Sequence, residues 1–164
     1  MDLGDWEEEM NKRYVGWDTV ERQVKRLIND IKNSEWTPDL IVGIVRGGAI
    51  PAVWMSNITS IPAEMAKVSF RDDTIKHPVL SLTMLKRITQ SNFKTLIVDD
   101  INDSGETLIW IQKKIREYNM QAEKQVKYAC LMDNQPSNFK DLDYSAEKIN
   151  KDIDPEWIVF PWEK

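Results

Sequence analysis

The sequence predicts an α/β fold, a mostly parallel twisted sheet with helices on both faces. Apolar, β-branched runs such as Leu40–Val45, Thr95–Val98 and Val126–Met132 read as strands buried on both sides. Segments of helical periodicity alternate with them, as the connections of a parallel sheet require. Two of the runs end in tight glycine-bearing turns, at the strand ends where such sheets bind ligands.

The elements follow in order. A first helix is expected to begin at Asp18, where Asp18 and Glu21 have capping-box spacing. Val20, Val24, Leu27, Ile28 and Ile31 then form one apolar stripe. Residues 33–38 end that helix, and the first strand follows through Val45. A short helix is expected over Ala49–Asn57, a strand over Ala63–Phe70 and another over Thr95–Asp99. Glu106–Tyr118 reads as a helix burying Leu108, Ile111, Ile115 and Tyr118. Later strands are expected over Val126–Met132 and Ile158–Phe160. Residues 71–92 are polar and irregular by comparison.

Composition narrows the classes. A chain of 164 residues without a Gly/Ser-rich linker or internal repeat reads as one domain, 1–164, with room for a sizeable core. With 41% hydrophobic and 30% charged residues it has the balance of a globular protein. A net charge of −5 argues against general binding to nucleic acid or a membrane surface. No apolar stretch approaches spanning length, and the acidic start lacks a signal-peptide pattern. The single cysteine, Cys130, cannot form an internal disulfide, which points to the cytoplasm; in an apolar strand its thiol should be inert. His77 is the only histidine, and no second His or Cys stands ready to complete a zinc site with it.

The most informative segment is Thr95–Leu108, TLIVDDINDSGETL. An apolar strand delivers Asp99 and Asp100, Asp103 follows, and Ser104, Gly105, Glu106 and Thr107 make a turn that opens a helix. Backbone N–H groups at a helix start favour an anion, and the Ser104 and Thr107 hydroxyls add donors. Carboxylates beside an anion site suit a ligand carrying both phosphate and sugar hydroxyls, and they can hold Mg²⁺. A second strand ends in Arg46-Gly47-Gly48. There the glycines are expected to supply positive φ and close backbone approach, and the guanidinium suits phosphate oxygens.

The run from Asp99 to Thr107 resembles the phosphoribosyl-pyrophosphate (PRPP) signature of the type I phosphoribosyltransferases, with Arg46-Gly47-Gly48 at the place of their pyrophosphate loop. Residues 154–163, DPEWIVFPWE, resemble the hood ending of the bacterial xanthine–guanine and related purine enzymes. The resemblance implies the type I phosphoribosyltransferase fold with a small C-terminal hood. That hood would span about 150–164, with an N-terminal contribution, and a flexible lid would span about 71–92. It implies Mg²⁺-dependent transfer of the phosphoribosyl group from PRPP to a purine, yielding pyrophosphate and a nucleoside monophosphate, in a dimer or tetramer. Asp99 and Asp100 would grip the ribose and the metal. Arg46, Gly47, Asp103, Ser104, Gly105, Glu106 and Thr107 would hold the phosphates. Asp103 would serve the base nitrogen, and Trp157 and Ile158 would cover the base, while Trp162 fills core. The peptide bond entering Arg46 is often cis in that family.

Two departures stand out. The family's 6-oxopurine enzymes carry a lysine after the next strand, whereas Met132 or Asp133 matches that position and Asp133-Asn134-Gln135 contains none. An acid such as Asp133 cannot donate to a carbonyl unless protonated, though it could accept from an exocyclic amine. The lid lacks the family's PRPP-contacting arginine, with Lys86 and Arg87 as the nearest substitutes. A regulatory protein binding PRPP or nucleotide, and a transferase acting on a non-purine acceptor, stay open as alternatives.

Overall fold

The computed structural model describes residues 11–68, 80–90 and 92–163. Five parallel strands form the main sheet: β2 (Leu40–Val45), β3 (Ala63–Lys67), β4 (Thr95–Asn102), β5 (Val126–Asn134) and β6 (Tyr144–Ile149). Their spatial order is β3-β2-β4-β5-β6. Helices α1 (Trp17–Asn33) and α2 (Ala49–Thr59) cover one face and pack on Ile41, Leu96, Val98, Ala129 and Leu131. Helices α3 (Leu82–Ile88) and α4 (Glu106–Tyr118) cover the other, on Leu40, Val42, Ile97, Tyr128 and Cys130. The α1 stripe is buried throughout, Val20, Val24 and Leu27 completely. Truncating such a residue, Leu27→Ala for instance, costs about 2–5 kcal/mol.

Chain direction explains the two layers. From β2 the chain steps outward to β3, and from β4 it steps the opposite way to β5. Right-handed crossovers then put α2 and α4 on opposite faces, and a crevice opens between the diverging ends of β2 and β4. The register marks it. β4 pairs with β2 only as far as Gly43 opposite Val98, while it stays paired with β5 through Asn102 opposite Asp133. Beyond Val98 one edge of β4 has no ladder neighbour among the described residues, and both acids of the pair lie on that stretch.

A second, two-stranded sheet pairs β1 (Lys12–Tyr14) with β7 (Trp157–Val159) in parallel, Arg13 opposite Ile158. It stands over the crevice and leads into a 3₁₀ turn over Pro161–Glu163. Phe160 is buried beneath it, with the Trp162 ring stacked on Phe160 at 4.9 Å.

Several local expectations are corrected. Helix α1 starts at Trp17 behind Gly16, and no side chain caps it. The Asp18 carboxylate folds over Gly16, 2.8 Å from where a Cβ would stand, so the capping box does not form. Tyr118 is 42% exposed, because α4 ends there at the sheet margin. Strand β4 runs three residues past Asp99, with Ile101 and Asn102 still paired to Met132 and Asp133 of β5. β1 and β6 lack the long apolar runs that announce buried strands. Within 71–92, residues 82–88 are a regular helix: the Ser81 hydroxyl accepts the Met84 N–H at 3.1 Å, and Leu85 and Ile88 are buried. His77 and the rest of the polar run 71–79 lie outside the described residues. Cys130 is fully buried, and burial pushes its thiol well above the ordinary range, as an inert core residue requires.

Candidate active site

Two adjoining cavities open over the crevice. One, of about 350 Å³, is walled by Asp99, Asp100, Asp103, Ser104, Glu106, Thr107, Trp157 and Ile158. The other, of about 920 Å³, lies over Arg46 and Gly47 and reaches Lys12 and Tyr14 of the overlying strand. Asp100, Trp157 and Glu163 border both. The residues singled out in three distant segments thus converge on one place.

Arg46 and Gly47 are placed by the end of β2. The Val45–Arg46 peptide bond is cis, and the chain then turns directly into α2. Gly47 presses against Asp100: a Cβ there would overlap all three atoms of the carboxyl group. A Cβ on Gly48 would run into the Val98 carbonyl oxygen. Neither glycine adopts positive φ, contrary to the sequence expectation. What this turn demands of its glycines is space, because it lies flat on β4.

The carboxylate pair lies at the cavity wall, Asp100 buried and Asp99 partly exposed. Asp99 Oδ1 accepts the Asp100 N–H at 2.9 Å, and Asp100 Oδ1 accepts the Ile101 N–H at 2.7 Å. Burial, reinforced by the charge of Asp100, raises Asp99 well above the carboxylate range. Burial likewise lifts Asp100 to about 6, with Glu163 pushing the same way. Among the described residues no three metal-binding side chains converge. Mg²⁺ is typically held by one or two carboxylates plus substrate oxygens. The adjacent side chains of Asp99 and Asp100 fit that donor set in residue type.

The turn after β4 is built from below. Gly105 takes φ +89° and stands at the head of α4. A side chain there would be strained, and its Cβ would lie 2.5 Å from the Phe139 nitrogen and 2.6 Å from Ser137 Oγ. Residues 135–143, which join β5 to β6 without a helix, form this floor. Asn102 is buried, donating to Asp133 Oδ1 at 2.8 Å and to the Phe139 carbonyl at 3.1 Å. Its own Oδ1 accepts the Ser137 hydroxyl at 2.7 Å. The Asn138 N–H closes the turn onto the Ser104 carbonyl at 3.0 Å, while Ser104 Oγ accepts the Glu106 N–H at 3.3 Å.

Asp103 is half-exposed and engaged on two sides. Lys151 Nζ lies 2.8 Å from its Oδ2, and Asn134 Nδ2 donates to its Oδ1 at 3.3 Å. Trp157 exposes 56% of its surface beside them, with the Lys151 ammonium 5.5 Å from its ring centroid. Ile158 is buried. Asp133 does not wall either cavity, and its carboxylate accepts from Asn102. Sequence reasoning passed over Asn102, Asn134 and Lys151. The available signal was the density of hydrogen-bonding residues in 133–138, directly after a buried strand.

The model of the phosphoribosyl transferase domain family matches residues 11–163. The chain belongs to that family. Among its relatives is the xanthine-guanine phosphoribosyltransferase of Idiomarina loihiensis, 27% identical over 151 residues, covering 92% of this chain and 86% of the relative. The crystal structure of a purine phosphoribosyltransferase from Pyrococcus horikoshii superposes with a TM-score of 0.73 at 30% identity, covering 94% of this chain and 95% of that one. The xanthine-guanine-hypoxanthine phosphoribosyltransferase of Helicobacter pylori shares the fold at a TM-score of 0.71 and 20% identity, covering 93% of each chain. This chain is therefore a phosphoribosyltransferase with a parallel five-stranded sheet, and the cavities at its crevice are the candidate active site of such an enzyme. Among the described residues no helix is long and apolar enough to cross a membrane.

Proposed function

We propose that this phosphoribosyltransferase transfers the 5-phosphoribosyl group of PRPP to a purine base, with Mg²⁺, releasing pyrophosphate. One observation carries the reading: the Asp99–Thr107 turn and the exposed indole of Trp157 wall the same cavity. An anion cradle and a stacking surface thereby face each other across a pair of carboxylates.

The chemistry follows from charge. The bond between the anomeric carbon and the pyrophosphate oxygen breaks, its electron pair leaving with pyrophosphate, and the base nitrogen forms the new bond to that carbon. The first turn of α4, with the Ser104 and Thr107 hydroxyls, binds the 5′-phosphate. Asp99 and Asp100 accept hydrogen bonds from the ribose hydroxyls, and the Asp100 carboxylate sets negative charge beneath the ring as positive charge grows there. Arg46 and the Gly47 backbone receive the departing pyrophosphate in the larger cavity. Bound Mg²⁺, held through Asp100 and Asp99, would neutralise charge on the leaving oxygens. Asp103, at the base side, accepts the proton that the base nitrogen loses. Trp157 supplies a flat apolar face for the heterocycle.

The test is a panel of bases with PRPP and Mg²⁺, scored for nucleotide and pyrophosphate together. Formation of a purine nucleotide is expected. Turnover with uracil alone would transfer the assignment to a non-purine acceptor, and absence of turnover with tight nucleotide binding would favour a regulatory protein.

A further inference from the structure

The base side of the cavity holds a cation that the phosphate turn does not contribute. Lys151 follows β6, and its side chain is one-fifth exposed. Its ammonium stands between the Asp103 carboxylate, at 2.8 Å, and the Trp157 ring, at 5.5 Å. Asn134, the last residue of β5, fixes this arrangement with a single side chain. Its Nδ2 donates to the Asp103 carbonyl at 3.2 Å and to the Asp103 carboxylate at 3.3 Å. Its Oδ1 accepts the Lys151 N–H at 3.0 Å. The amide thus ties the turn that holds Asp103 to the loop that carries the lysine.

We propose that Lys151 is the specificity-determining residue for the base, donating to an oxo group at the purine 6-position and disfavouring an amino group there. The proposal rests on the purine transferase reading above. An ammonium has three donors and no acceptor. Toward an oxo group it makes a charge-assisted hydrogen bond; toward an exocyclic amine it presents N–H against N–H. A purine lying on Trp157 with a ring nitrogen near Asp103 brings its six-membered edge within reach of the same ammonium. No other residue at the end of β5 competes for the role. Asp133 is occupied by Asn102, and Asn134 is occupied as the clamp.

Lys151→Met removes the charge and keeps an unbranched stem; Lys151→Arg keeps the charge. Binding of inosine and adenosine monophosphates to wild type and both variants is measured by titration calorimetry, alongside kcat and KM for hypoxanthine, guanine and adenine with PRPP. The wild type is expected to favour the 6-oxo ligands. Lys151→Met should weaken inosine monophosphate roughly 10–100-fold, the range for one lost charge-assisted hydrogen bond. Adenosine monophosphate should bind as well or better, and Lys151→Arg should recover part of the discrimination. Equal losses for both nucleotides would show that Lys151 merely positions Asp103, and an unchanged ratio in a folded Lys151→Met protein would also overturn the proposal. Should that variant not fold, an unchanged ratio in Lys151→Gln would do the same. In these cases purine turnover by the wild type leaves the transferase reading intact. A wild type that forms no nucleotide from any purine removes both.

Discussion

Gly47 and Asp100 occupy space that admits no added atom between them. Gly47→Ala should therefore displace either the Arg46 turn or the carboxylate. It is expected to lower PRPP-dependent turnover by at least ~10²-fold, as misplacement of reacting groups by about an ångström can do, in a protein whose circular dichroism is unchanged. Asp103 offers a contrasting test. Asp103→Asn should reduce turnover by ~10²–10⁴, the range for a positioned proton acceptor, with PRPP affinity within a small factor; loss of PRPP affinity at unchanged turnover would make Asp103 part of the phosphate cradle only. Trp157→Ala should raise KM for all accepted purines alike, since stacking contributes about 1–3 kcal/mol per base and ignores ring substituents. A variant altered in melting temperature but not in base kinetics would assign this indole to packing. These residues were legible in the sequence because each sits in a contiguous motif whose chemistry is local. Lys151 and Asn134 were not, since their pairing spans the turn from β5 through β6 and neither stands in a recognisable run.

At the scale of elements, the turn before α4 is only as firm as the 135–143 connection beneath it. Asn102 is the link. Asn102→Ala would strand the Ser137 hydroxyl and the Phe139 carbonyl in a buried place, at a cost of about 1–3 kcal/mol for each group left unsatisfied. A fall in the urea midpoint, with weaker phosphate binding, is the expected outcome of the two measurements. Helices α1 and α4 and the central strands declared themselves by periodicity and apolar runs. Helix α3 did not, because two buried positions, Leu85 and Ile88, in a 7-residue helix give too short a pattern to stand out from polar neighbours. β1 and β7 are 3 residues each. β7 was expected one residue further on, over Ile158–Phe160, whereas β1 exists through pairing with it, a long-range fact that no local window contains.

The molecule as a whole pays for its acidic crevice. Asp100 holds its proton up to about pH 6 in the folded, metal-free protein, above the ordinary carboxylate value it regains on unfolding. Between those two values the folded state binds more protons, so this group's contribution to stability falls as pH rises from about 4 to 6. Asp100→Asn does not titrate and keeps an acceptor for the Ile101 N–H. Its stability relative to metal-free wild type should therefore climb across that window, by up to about 3 kcal/mol for a shift of this size. Urea denaturation of both proteins at pH 4, 5, 6 and 7 measures the difference. A difference that stays flat with pH would mean that water or a counter-ion already neutralises the corner.

The pairing of Lys12–Tyr14 with Trp157–Val159 also has a temporal consequence. During synthesis the five-stranded sheet can be assembled once β6 has emerged, but the indole wall and the roof over Arg46 cannot. A nascent chain halted before residue 157 would present the phosphate turn, the acids and the glycine loop uncovered, with β1 still lacking its partner strand. The indole wall and the roof are thus completed only when residues 157–159 dock beside β1.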